Sequence, residues 1–253
     1  SICVPTSLHF EVAEQTISHG IHTLIEKPIA STCEQAEKLI ELAQEKSVHL
    51  TVGHIERFNP AIVALKKHLD NDEIGKILRI STRRMGPFPV RIRDAGVAID
   101  LATHDIDAMR YIIGEDIVRV FAETNCIISE TYEDLLDGVI IFENGIHGVV
   151  SASRVTPTKI RELSVTGTKG MFSVNYITQE LSFYENTTAS NTWDSLNVLT
   201  GVNEGNMMRF AIPREEPLKA ELMHFVTSVK NNTAPMISGR DGLEALKVAL
   251  AMV

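Results

Sequence analysis

The groups best suited to moving a proton lie together between Gly96 and Gly114. Asp100, His104, Asp107 and Tyr111 recur at spacings of four, three and four, and Ala102, Ile106, Met109 and Ile113 recur in the same way on the opposite side. That pattern predicts an amphipathic helix. Asp100 and His104 stand at i and i+4, so their side chains are neighbours on one face and the carboxylate is expected to hold the imidazole's tautomer and raise its basicity. Such a pair is a candidate general base with its orienter. Two other readings compete. The same residues would serve as a solvated helix face, or as metal ligands, for which the further His or Cys of a tight site is missing. No metal is expected.

Residues 1–60 are the elements that would bring a ligand to this helix. Ser1–Val4, Ile21–Ile25 and Val48–Val52 read as strands, separated by a helix carrying Phe10, Ala13 and Ile17 and by another carrying Ala36, Leu39, Ile40 and Ala43. Ser31 and Glu34 are expected to form the capping box of the second helix. Strand, helix, strand, helix, strand at this spacing implies a parallel sheet with right-handed crossovers, part of a doubly wound α/β fold. Ligands bind such sheets beyond the carboxyl ends of the strands. There lie Pro5-Thr6-Ser7, Glu26-Lys27-Pro28 and Gly53-His54-Ile55-Glu56-Arg57. Pro28 biases Lys27 towards an extended backbone, which would project its ammonium at a ligand.

Residues 61–253 form a second, α+β unit. Asn59 and Pro60 open a helix with Ile62, Leu65 and Leu69. Ile77–Arg84 alternates as a strand, and after the central helix come strands near 117–128, 138–153, 160–167, 170–176 and 179–185, with Asn144-Gly145 as a hairpin turn. A mainly antiparallel sheet follows, with the central helix on one face. Residues 186–216, which include Trp193, read as a long polar loop, and two helices close the chain, the last capped by Asp241 with Glu244. Val149, Val165 and Phe172 are expected on an open apolar sheet face, hence a homodimer or homotetramer.

The 253 residues are 44% hydrophobic and 23% charged, with a formal net charge of -9. That balance argues against a nucleic-acid partner, and no apolar run reaches membrane-span length. Cys3, Cys33 and Cys126 have no metal or redox spacing, which suits a reducing cytoplasm. The sequence opens within a strand and without methionine, so an N-terminal piece is expected to precede it.

Taken in order, Glu26-Lys27-Pro28, then Gly53-His54-Ile55-Glu56-Arg57-Phe58-Asn59-Pro60, then Gly96 through Asp100 to His104 and Asp107 resemble the Gfo/Idh/MocA family of NAD(P)-dependent oxidoreductases. Arg84–Ile92, Ile99–Ile113 and Ser164–Gly170 resemble most the archaeal-type members that oxidise the 3-hydroxyl of UDP-N-acetylglucosamine. The resemblance implies that Lys27 bonds the reacting hydroxyl, that Asp100 holds and polarises the histidine, and that His104 takes the hydroxyl proton while hydride passes to nicotinamide C4. It implies further that Pro5, Thr6, His9, Glu26 and Lys27 border the cofactor, with NAD preferred and NADP not excluded. The family's Gly-rich phosphate turn is not among these residues, so the piece alone is expected to bind NAD weakly.

For the substrate, the resemblance points to Arg57, Asn59 and His104. Arg91 and Arg93, just before the helix, would grip a diphosphate by paired hydrogen bonds, or else pair with Asp94 or nearby glutamates at the surface. Arg154 and Lys159 are further candidates near strand ends. The rival functions are a dehydrogenase of a free sugar or polyol, of inositol or glucose type, and a non-catalytic sensor that binds sugar or NAD on the same fold.

Overall fold

The computed structural model describes residues 1–89, 95–186 and 205–253. In the first part, strands β1 (Thr23–Glu26) and β2 (Leu50–Gly53) pair in parallel. The expected strand at Ser1–Val4 is reduced to a single bridge, in which the Ile2 N–H donates to Leu24 O at 2.8 Å and the Glu26 N–H donates to Ile2 O at 3.0 Å. Helices α1 (Thr6–Ser18) and α2 (Cys33–Glu45) bury Ala13, Ile17, Ala36 and Leu39 against this sheet. Thr32, one residue after the expected cap, receives the Gln35 N–H and opens α2. Ser31 instead donates its backbone N–H to the Gln35 side chain.

The second part is an eight-stranded sheet made of β3 (Ile77–Met85), β4 (Ile117–Asn125), β5 (Leu135–Phe142), β6 (His147–Ser153), β7 (Ile160–Gly167), β8 (Gly170–Asn175), β9 (Glu180–Glu185) and β10 (Met207–Phe210). Its order is β10-β9-β8-β7-β3-β6-β5-β4, antiparallel throughout except where β3 meets β6. The Asn144-Gly145 turn joins β5 to β6, with Gly145 at φ 82, a left-handed backbone that glycine takes without strain. One sheet face packs on helices α3 (Pro60–Asp70) and α4 (Thr103–Ile113). Val165 and Phe172 are fully buried on that covered face, contrary to expectation. The open face carries a row paired strand to strand as Ser182, Ser173, Ser164, Ser81, Val149, Val139 and Phe121.

Helices α5 (Pro217–Asn231) and α6 (Gly239–Leu250) complete the described chain. Ser238, not Asp241, caps α6; Asp241 is its capping-box partner at the third helical position. Leu243 and Leu246 of α6 enter the core of the parallel sheet, while Ala245, Val248 and Ala249 enter the core of the large sheet. Packing therefore crosses the division expected at residue 60. Among the described residues no helix is long and apolar enough to cross a membrane.

Candidate active site

The central helix starts with a π turn, Ala98–Ala102, and becomes α-helical as α4, which ends at Gly114 with φ 77. A π turn holds more residues per turn than an α-helix, so Asp100 and His104 lose the stacking that i,i+4 spacing would give them. Glu133 fixes the start of this element. Its carboxylate receives the Ala98 N–H at 2.9 Å and its carbonyl receives the Val97 N–H at 3.0 Å. A Cβ at position 96 would lie 2.0 Å from that carboxylate, which is why glycine stands there.

Asp100 is occupied by two cations. Lys27 Nζ donates to Asp100 Oδ1 at 3.0 Å and to its backbone carbonyl at 2.6 Å, and Arg154 Nη2 donates to Oδ2 at 2.7 Å. Burial works to raise the Asp100 pKa, but Lys27 and Arg154 outweigh it and hold the carboxyl below its ordinary range. No hydrogen bond among the described residues joins Asp100 to His104, so the orienting role expected for Asp100 is not what this geometry provides. Asp100 positions Lys27 instead. Arg154 also donates to Ala95 O at 2.8 Å, tying the end of β6 to the loop before the helix. In the sequence it is only a cation near a strand end, and nothing there marks it as Asp100's partner.

His104 is half-buried, and its Nδ1 is sealed with no partner among the described residues. Desolvation first, then the positive charges of Lys27 and Arg84 and the neighbouring His54 and Arg161, lower its pKa well below 6.5. The ring is therefore neutral at physiological pH and able to accept a proton.

Two further acidic residues of α4, Asp105 and Asp107, are buried in ion pairs. Arg84 forks onto Asp105 at 2.8 and 2.9 Å and reaches Glu56 at 2.9 Å. Arg57 forks onto Asp107 at 2.9 and 2.7 Å and reaches Asp241 at 2.9 Å. With its guanidinium so committed and 4% of the residue exposed, Arg57 supports the scaffold and has no group left for substrate. Asn59 caps α3 by receiving the Ala61 N–H and donates to Tyr176 O at 3.1 Å, so it too is structural. Arg91 and Arg93 lie outside the described residues.

Beyond the carboxyl end of β1 and the Ile2 bridge a cavity of about 220 Å³ is lined by Val4, Pro5, Thr6, His9, Glu26, Lys27 and Asp100, among others. All five residues expected at the cofactor meet here. His9 is 1% exposed, with one ring nitrogen 2.7 Å from Pro28 O and the other 3.0 Å from Val4 O, so it ties two loops together. The prolines offer flat apolar walls, while Thr6, Glu26 and Lys27 offer polar groups at the rim. This combination fits the nicotinamide and ribose of a dinucleotide.

Residues 62–173 match the GFO/IDH/MocA C-terminal domain, and residues 1–54 match the oxidoreductase family with NAD-binding Rossmann fold. UDP-N-acetylglucosamine 3-dehydrogenase from Acidithiobacillus ferrooxidans is 29% identical over 250 residues, which is 99% of this chain and 76% of that protein. Its solved structure superposes with a TM-score of 0.86 at 28% identity, again covering 99% and 76% of the two chains. Myo-inositol 2-dehydrogenase from Thermotoga maritima is 28% identical over 265 residues, 99% of this chain and 75% of that one. Two family regions in the family's order, a shared fold and a Lys27–Asp100 contact beside His104 agree: the chain belongs to the Gfo/Idh/MocA family of NAD(P)-dependent oxidoreductases.

Proposed function

We propose that the protein is an NAD-dependent dehydrogenase that oxidises the 3-hydroxyl of a UDP-linked N-acetylamino sugar. The observation that carries this reading is the contact of Lys27 with Asp100 across 73 positions of sequence, beside the neutral His104. Oxidising an alcohol needs a base for the proton and a cation near the developing alkoxide. His104 takes the hydroxyl proton, its desolvated neutral ring being ready to receive one. Lys27 steadies the oxygen as negative charge builds on it. Asp100, held by Arg154, keeps the Lys27 ammonium at the cavity mouth. Pro5, Thr6 and Glu26 would hold NAD, which when bound would serve as the hydride acceptor.

The Acidithiobacillus relative supports the nucleotide sugar, and the Thermotoga relative supports a second reading, a polyol such as inositol. We further place the protein in the reducing cytoplasm, where its cysteines stay free, and as a homodimer or homotetramer through the open sheet face.

The test mixes the full-length protein with NAD and UDP-N-acetylglucosamine and follows reduced nicotinamide by absorbance. Turnover that disappears in His104→Ala is the expected result. Turnover with myo-inositol and none with the nucleotide sugar would transfer the assignment to the polyol. A His104→Ala protein as fast as the native one would remove the base.

A further inference from the structure

Arg84 on β3 and Arg161 on β7 are direct cross-strand partners, both on the face covered by α4. Like charges in that relation repel. Arg84 is compensated by Asp105 and Glu56, which its guanidinium contacts within 2.9 Å. Arg161 is not compensated. Among the described residues it forms no ion pair, and its Nε is buried without a hydrogen-bond partner. The carboxylates around it are Glu56, Asp105 and Asp100, and each already serves Arg84, Lys27 or Arg154.

A half-buried guanidinium with no counter-ion is costly to fold around, because desolvation is not returned by pairing. Burial and then the Arg84 charge lower its pKa from the ordinary arginine value, outweighing Glu56, Asp105 and Asp100. The carboxylates nearby are thus all engaged by other cations. Arg84 Nη1 and the Tyr176 hydroxyl are also buried without partners among the described residues; the Tyr176 ring lies 5.1 Å under the Arg84 guanidinium, and the Tyr176 backbone N–H donates to Arg161 O at 3.0 Å. Arg161 is near enough to His104 to lower the histidine's pKa. Among the described residues this corner beside His104 offers Arg161 no free carboxylate.

We propose that Arg161, with Tyr176 beside it, is an anion subsite that grips a phosphate or carboxylate substituent of the sugar whose hydroxyl faces Lys27 and His104. Paired hydrogen bonds from the planar guanidinium suit either group. The proposal rests on the dehydrogenase reading of Lys27 and His104 and narrows its substrate to anionic sugars. A neutral polyol would leave Arg161 unpaired.

The test compares the full-length native protein with Arg161→Gln and Arg161→Lys, with melting curves to establish folding. Isothermal titration with UDP, inorganic pyrophosphate and glucuronate measures the subsite without turnover. Arg161→Gln should weaken the anion that binds by about tenfold to a hundredfold, and Arg161→Lys should recover part of the loss, as expected for one charge-assisted contact. UDP and pyrophosphate binding marks the source as phosphate, whereas glucuronate binding alone marks a carboxylate. Equal binding by native and Arg161→Gln proteins, or no anion bound by the native one, would overturn the subsite. In the turnover assay the ratio of kcat/KM for UDP-N-acetylglucosamine to that for myo-inositol should fall in Arg161→Gln. Arg161-dependent anion binding without any dehydrogenation would sink the functional reading and leave the subsite standing. Dehydrogenation of the nucleotide sugar unaffected by Arg161 would do the reverse.

Discussion

His104 works among positive neighbours, and that sets its pH range. As a base it must be neutral in the free enzyme, so kcat/KM should fall only when acid drives the pH below 6.5, through a pKa lowered by burial and by Lys27. Replacing Lys27 with Met removes one of those charges and raises the histidine's pKa. The acid limb should then move to higher pH, on a slower reaction; a pH profile whose limb stays in place would show that Lys27 does not act on His104. Glu221 on α5 presents the opposite case. It is 3% exposed, neither carboxyl oxygen has a partner among the described residues, and burial, Glu26 and Asp107 push its pKa up to about 8. Its folded pKa exceeds its unfolded value of about 4.3, so the folded state binds more protons and loses stability as the pH rises between the two. Glu221→Gln should flatten that decline, making the protein more stable at pH 8 by on the order of a few kcal/mol, as urea denaturation at pH 5 and pH 8 would measure.

The element that decides the site is the π turn followed by α4, anchored at its start by Glu133. Gly96→Ala would push the Glu133 carboxylate away from the Ala98 N–H. We expect a stability loss of ~1–3 kcal/mol by overpacking, with kcat falling further than stability alone explains because Asp100 is displaced. Denaturation and steady-state kinetics on the same sample check both, and unaltered kcat would refute the anchoring role. Legibility in the sequence differed by element. The hairpin at Asn144-Gly145, the Asn59 cap and the alternating strands are local patterns, and they are found where expected. The π turn is not local; tertiary packing around Asp100 imposes it, and so the Asp100–His104 pairing drawn from helical spacing failed. The ion pairs of Asp105 and Asp107 with Arg84 and Arg57 were hidden for the same reason, since acidic residues on a helix look solvated until their partners arrive from 21 and 50 positions away. Likewise Val165 and Phe172 alternate correctly, but alternation alone does not say which sheet face is covered.

At the scale of the molecule, the open face joins four serines to Val149, Val139 and Phe121, which is 61% exposed. A half-apolar, half-hydroxyl face suits another copy of itself, stacked sheet on sheet. Light scattering should give a multiple of the 28.0 kDa chain mass, and Phe121→Asp should lower it; a monomer in the native protein would refute the assembly. Helix α6 has a quieter consequence. Because Leu243 and Leu246 are set in one core while Ala245, Val248 and Ala249 are set in the other, one helix joins the packing of the two sheets. A helix shared in this way passes damage on: a substitution that loosens its seat in one core is felt in the other.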